Sequence, residues 1–178
     1  ANRVAESSSL SEEGWNVQPE IRTLPDQRIV FVERRGYVEG ATFTKAATEA
    51  FGTLTDYVEA NNLQSRVGAV IGYMPDDMNT VPMADQRYVA CCVLLDDKPV
   101  PSSPAVQEGT LPGGTYAVFL HKGSWDTLGE TWMDGWNNWF PTSGMAFRVG
   151  GYPLEIYLND ETAGKPEDMR TEVCLPVQ

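Results

Sequence analysis

Apolar positions along this chain follow two spacings, and the same succession of spacings occurs twice. The continuous run Ile29-Val30-Phe31-Val32 reads as a buried strand. After it, Ala47, Ala50, Phe51, Leu54 and Val58 recur at the three- and four-residue intervals of one helical face. That pattern predicts a helix over Thr44–Ala60, ended by Asn61-Asn62. Two short strand-like runs follow, Val70-Ile71-Gly72-Tyr73 and Arg87-Tyr88-Val89-Ala90-Cys91. The second half repeats the order, with a strand at Tyr116-Ala117-Val118-Phe119-Leu120 and a helical stripe of Leu128, Trp132, Trp136 and Trp139. Its closing strands are Leu154-Glu155-Ile156-Tyr157 and Arg170-Thr171-Glu172-Val173-Cys174. Thr127 with Glu130 three residues on has the form of a capping box, and Pro141 is expected to stop the second helix.

Landmarks keep step with the pattern. Thr23-Leu24-Pro25 and Thr110-Leu111-Pro112 are 87 positions apart, and so are Gly36 and Gly123. A repeat at this spacing predicts the whole architecture rather than one element. We expect an α+β fold made of a duplicated β-α-β-β unit with pseudo-twofold symmetry. Its antiparallel sheet would carry both helices over one face, with a groove between the halves. The expected organisation is a flexible arm over 1–18, a first repeat over 19–97, a Pro-rich linker over 98–104 and a second repeat over 105–178, in one compact domain.

Composition narrows the chemistry. The formal net charge of −12 disfavours direct contact with nucleic acid and favours cationic small molecules at any carboxylate-lined cleft. Three cysteines, two of them adjacent, supply neither a disulfide framework nor a metal-ligand spacing, which fits a reducing, cytoplasmic location and no metal. Cys91 and Cys92 read as small apolar strand residues. No P-loop, GxGxxG or HExxH motif occurs, so no cofactor is expected. No run reaches the length of a membrane span, and no membrane partner is expected. The first residue is Ala, which leaves open a removed Met, a missing leader or a longer parent chain.

Among single residues, Glu155 stands out. Strand alternation turns Leu154 and Ile156 to one face, and Glu155 and Tyr157 together to the other. Alternation assigns faces and not pockets, so a solvated face and a ligand seam both remain open. Two fused units meeting at an axis would form a concave seam of the kind ligands favour. In that scheme Glu155 matches Ile71 of the first half, so one acidic side chain breaks the symmetry. A carboxylate beside aromatic rings suits a cation. Trp132 and Trp136, one helical turn apart, could line the seam or fill a core. His121, the lone histidine, is expected to make ordinary hydrogen bonds.

Taken as an ordered set, Leu111-Pro112-Gly113-Gly114-Thr115-Tyr116-Ala117-Val118, His121-Lys122-Gly123-Ser124-Trp125, Thr131-Trp132, Trp139-Phe140-Pro141-Thr142-Ser143-Gly144 and Glu155-Ile156-Tyr157-Leu158-Asn159 resemble the GyrI-like effector-binding domain. Arg87-Tyr88-Val89-Ala90-Cys91 is similar to that family's Arg-Tyr-Asp-x-Cys strand, with Val89 in place of the Asp. The resemblance spans roughly residues 19–177 and is weak in the first half. It implies a duplicated fold whose dyad groove accepts bulky hydrophobic, often cationic, compounds. It carries the key acidic role onto Glu155 and wall roles onto Tyr157, Trp132 and Trp136, with Tyr73 and Tyr37 less directly. It further implies a role in transcription regulation, through a fused or partner DNA-binding domain, or in drug sequestration. Two other activities occur among such proteins: gyrase inhibition, with gyrase as the partner, and hydrolysis of strained cyclopropane compounds, with Glu155 as the acting carboxylate.

Overall fold

The apolar runs become strands and the 3.6-residue stripe becomes a helix. The computed structural model describes residues 18–35, 44–159 and 164–178. Within them the chain runs β1 (Glu20–Leu24), β2 (Gln27–Arg35), α1 (Thr44–Ala60), β3 (Val67–Tyr73), β4 (Arg87–Leu94), β5 (Gln107–Leu111), β6 (Gly114–Lys122), α2 (Leu128–Asp134), β7 (Leu154–Tyr157) and β8 (Arg170–Pro176). The expected arm falls largely outside the described residues, as do Gly36 and Tyr37.

All eight strands form one antiparallel sheet in the order β1-β6-β8-β7-β3-β4-β2-β5. The order reads alike from both ends: β2-β4-β3 of the first repeat meets β7-β8-β6 of the second, with β3 against β7 at the centre. The duplicated β-α-β-β unit is therefore present. Each repeat also carries a leading strand that the apolar pattern did not announce, and the two are exchanged. β1 pairs with β6 of the second half, and β5 pairs with β2 of the first. Both leading strands are short and largely polar, so they carry little hydrophobic signal.

The exchange curls the sheet into a half-barrel. Leu24 of β1 and Leu111 of β5 come from opposite edges yet join one interior cluster with Ile29, Ile71, Val89, Cys91, Val118, Leu154, Ile156 and Cys174. A clasp ties the two short connections together, with the Gly113 amide donating to the Asp26 carboxylate at 2.7 Å. A side chain at Gly113 would overlap the Leu24 carbonyl, so only glycine lets the two connections approach this closely.

The other face carries both helices, each over its own half. Ala46, Ala50, Leu54 and Val58 of α1 pack on Val30, Val32, Tyr88, Ala90 and Cys92. Leu128 of α2 packs with Ala117, Phe119, Val173 and Leu175, and Trp132, Trp136, Trp139 and Tyr157 lie against that cluster. The second helix differs from the expectation at both ends. Thr127 makes no capping bond to the helix. Its hydroxyl instead donates to the Ser124 carbonyl at 2.9 Å, and the cap is provided one turn earlier by the Ser124 side chain, which accepts from the Asp126 amide. The regular helix stops at Asp134 and continues as a π-helical turn over Gly135–Trp139. Pro141 falls inside a closing 3-10 turn rather than just beyond the helix.

Candidate functional site

The centre of the sheet, where the repeats meet, has one residue pairing that matters most. Ile71 of β3 stands opposite Ile156 of β7, and Gly72 stands opposite Glu155. Both isoleucines face the interior of the curl. Glu155 and Tyr157 therefore point to the helix-bearing side, as alternation requires. The expected match of Glu155 with Ile71 is corrected by this register. Ile71 lies on the opposite face, and the first-half residues that share the face of Glu155 are Val70 and Gly72. The physical reason is parity: a one-residue slip in matching two strands turns every side chain to the wrong side. The asymmetry survives the correction, since neither Val70 nor Gly72 carries charge.

Three side chains converge on or behind the carboxylate. The Trp132 indole N–H donates to Glu155 Oε1 at 2.8 Å. The Tyr157 hydroxyl donates to Oε2. Tyr157 has only one hydroxyl hydrogen, so its contact with the Tyr88 hydroxyl at 3.0 Å has Tyr88 as donor. The result is a directed chain, Tyr88 to Tyr157 to Glu155, met from the other side by Trp132. Burial first, and then the negative charge of Glu155, push the hydroxyls of both Tyr88 and Tyr157 well above the ordinary tyrosine range, so both stay protonated as donors.

Gly72 makes this arrangement fit. A methyl group there would overlap the Tyr88 hydroxyl and approach the Tyr157 oxygen to 3.1 Å. The glycine in the middle of a buried strand thus marks a close approach, here of two tyrosines. Aromatic rings enclose the pair further. Phe51 of α1 and Trp125, just before α2, each pack edge-on against Tyr157 with ring centres 5.5 Å away, one from each half of the chain. Phe51 also meets Tyr88 edge-on at 6.2 Å.

Electrostatically the carboxylate is incomplete. Its two oxygens accept one hydrogen bond each, fewer than a carboxylate can take. Among the described residues, no Lys or Arg lies within ion-pair distance of it, while Glu20, Glu33, Asp76, Asp96, Glu108 and Glu172 all have such partners. A partly buried carboxylate without a counter-charge, bonded by an indole and by a tyrosine that further rings enclose, is a setting that attracts a cation. Among the described residues no group of three or more His, Cys, Asp and Glu could hold a metal ion, and no helix is long and apolar enough to cross a membrane.

The remaining expected residues go elsewhere. Trp136 packs against Phe140 and Phe147, with ring centres at 5.3 and 5.8 Å. Tyr73 lies on the interior face, stacked on Tyr152 at 5.4 Å. Tyr37 is outside the described residues. The structure therefore brings together Glu155, Tyr157 and Trp132, and it adds Tyr88, Gly72, Phe51 and Trp125. Two concavities lie apart from this cluster. One of about 190 Å³ opens beside Tyr73, Tyr152 and Arg87, and a wider one of about 680 Å³ runs along the exposed side of α2 past Asp126, Glu130 and Asp134. Neither is lined by Glu155, whose oxygens are bonded by Trp132 and Tyr157.

The family model described as the GyrI-like small molecule binding domain matches residues 17–178. Among curated relatives, the SPbeta prophage-derived YosT of Bacillus subtilis (strain 168), named for transcriptional regulation, is 31% identical over 158 residues, which cover 89% of this chain and 97% of YosT. Two solved structures share the fold at low identity. EcmrR in its complex with DNA aligns with a TM-score of 0.69 and 15% identity over 90% of this chain, which spans 57% of the EcmrR chain. SAV2435 bound to tetraphenylphosphonium aligns with a TM-score of 0.62 and 13% identity, covering 90% of this chain and 94% of that one.

Proposed function

This chain belongs to the GyrI-like small-molecule binding domain family, and from that premise we propose that it takes up a bulky hydrophobic cation between α1 and α2, with Glu155 as the counter-charge. The observation that carries this reading is the partly buried carboxylate that has two hydrogen-bond donors, rings packed on its tyrosine partner and, among the described residues, no cationic partner. Tyr157, Tyr88 and Trp132 hold its oxygens in place before a ligand arrives, which lowers the ordering cost of binding. Phe51 and Trp125 are the rings that a ligand must displace or stack upon. The resemblance to YosT, and to EcmrR in its DNA complex, supports an effector role in regulation, exercised through a DNA-binding domain fused to this one or carried by a partner. Sequestration of the same compounds is the alternative within this reading.

Tetraphenylphosphonium, the ligand of the SAV2435 structure, is the natural probe. It should quench tryptophan emission, because Trp125 and Trp132 both line the site. Glu155→Gln keeps the side chain's shape and its hydrogen-bonding capacity. The amide can accept from Trp132 and donate to Tyr157, whose hydroxyl then turns to Tyr88. The variant therefore removes charge and little else. A cation about 5 Å from a carboxylate at an effective dielectric near 20 gains roughly 3 kcal/mol, so the variant should bind at least tenfold more weakly. Equal affinity of the native protein and Glu155→Gln would refute the counter-charge role. The other two activities have their own readouts. Loss of gyrase supercoiling without added ligand would favour the inhibitor reading, and product formed from a strained electrophile would favour the hydrolase.

A further inference from the structure

The geometry points to His121 as a positioning residue for the aromatic wall of this site. The inference rests on the ligand reading above, but its test does not need a ligand. His121 lies near the end of β6 and is 4% exposed. Its ring bonds two residues of the turn that leads into α2, Ser124 and Thr127, and one inside the helix, Thr131. Nε2 lies 3.0 Å from the Ser124 carbonyl, which can only accept, so Nε2 carries the hydrogen and shares it with Thr127 Oγ1 at 3.1 Å. Nδ1 is then the acceptor in the neutral ring, and the Thr131 hydroxyl donates to it at 2.7 Å. The wall residues are the immediate neighbours of these anchors. Trp125 follows Ser124 and packs on Tyr157, and Trp132 follows Thr131 and donates to Glu155. One imidazole thus fixes both tryptophans, with a separate nitrogen for each.

The row of paired residues gives the anchor its reference. His121 pairs with Thr171, and Thr171 pairs with Tyr157, so the imidazole and the tyrosine stand on one face two strands apart. The sheet sets the position of Tyr157 and, through His121, the position of the rings that meet it. Trp136 and Trp139 pack on other neighbours, Phe140 and Phe119, and do not depend on these bonds.

Three variants of the full chain, labelled with 5-fluorotryptophan, test this by fluorine NMR. His121→Ala should shift the Trp125 and Trp132 resonances and leave Trp136 and Trp139 in place. His121→Asn offers a polar atom near the Nδ1 position only, and should keep Trp132 while releasing Trp125. His121→Gln reaches the Nε2 position, and should do the reverse. In parallel, tetraphenylphosphonium affinity should fall about tenfold in His121→Ala, the scale of one or two lost hydrogen bonds, and recover in part in the other two. Unmoved Trp125 and Trp132 resonances would overturn the inference, as would a common shift of all four with a lowered melting temperature. If the native protein fails to bind the probe, the ligand reading falls, and the fluorine spectra still decide the role of His121.

Discussion

One substitution made at two places should have opposite effects. Gly72→Ala puts a methyl group onto the Tyr88 hydroxyl, 2.8 Å from its Cζ and 3.1 Å from the Tyr157 oxygen. Tyr88 is 2% exposed and packed in the α1 cluster, so the ring has little room to retreat. Forcing an extra carbon into a packed site costs about 1–3 kcal/mol, and breaking the Tyr88 to Tyr157 hydrogen bond adds roughly 1 kcal/mol. Restricting the unfolded chain returns about 0.4–1 kcal/mol. The net is a loss of about 1–3 kcal/mol, which at this size lowers the melting temperature by roughly 3–10 °C. Gly52 is the control. It lies exposed in the middle of α1 with nothing within 4 Å of a would-be methyl group, so Gly52→Ala should stabilise by about 0.5–1 kcal/mol. Calorimetric melting of the two variants reads both signs. Probe binding should fall in Gly72→Ala and stay unchanged in Gly52→Ala. If Gly72→Ala melts with the native protein and binds equally well, the tyrosine pair is not held by the close approach described here.

Other expectations follow from the same contacts. Trp132→Phe removes the indole donor and leaves Glu155 Oε1 without its partner, so urea unfolding should register a loss of about 1–3 kcal/mol; an unchanged midpoint would mean that water replaces the indole at no cost. Gly113→Ala drives a methyl group into the Leu24 carbonyl and should disrupt the clasp between the two short connections, which amide hydrogen exchange of β1 and β5 would report as lost protection. Asp96, bonded through both oxygens to Arg66, has its carboxyl held at about 2, below the ordinary 3.8. Its stabilising contribution is therefore complete above about pH 4 and lost as pH falls towards about 2. Melting temperature against pH should fall less steeply over that window in Asp96→Asn than in the native protein, and parallel curves would contradict the assignment.

Much of the fold was legible because each repeat writes its core strands and its helix in apolar spacing. The stripe of Ala50, Leu54 and Val58 located α1, and alternation put Glu155 and Tyr157 on one face. What escaped was carried by residues without such spacing. β1 and β5 are edge strands of mixed polarity, and nothing in five polar-leaning residues says that they pair across the molecule. The second helix reads as one regular stretch in the sequence because its tryptophans keep helical intervals through the π turn. At the site, Tyr88 was visible as part of the Arg-Tyr strand but had no assigned role, since its partner Tyr157 is 69 residues away. Gly72 could be noticed only as a glycine inside a strand, a signal that becomes specific once the tyrosines are seen against it.

The two halves divide the site between them in a way that a single copy of the unit could not. The second half supplies the charge of Glu155, the two groups that bond it, Tyr157 and Trp132, and the covering ring of Trp125. The first half supplies room and cover: Gly72 opposite the carboxylate, with Tyr88 and Phe51 beside Tyr157. In a symmetric sheet, a carboxylate at both equivalent positions would set two like charges on adjacent strands at the axis, which repel and raise each other's pKa. A tyrosine or leucine in place of Gly72 would fill the space that Tyr88 occupies. One carboxylate and one glycine at facing positions avoid both outcomes, leaving at the junction a carboxylate with no cationic partner among the described residues and with rings contributed from either side. The prediction specific to this view is that Gly72→Glu should damage the site more than loss of Glu155 itself. It adds the bulk that displaces Tyr88 together with a second negative charge, so its melting temperature should fall below those of both Gly72→Ala and Glu155→Gln. A Gly72→Glu protein that melts with Gly72→Ala would show that steric overlap alone governs this position, and that charge asymmetry at the axis contributes nothing to stability.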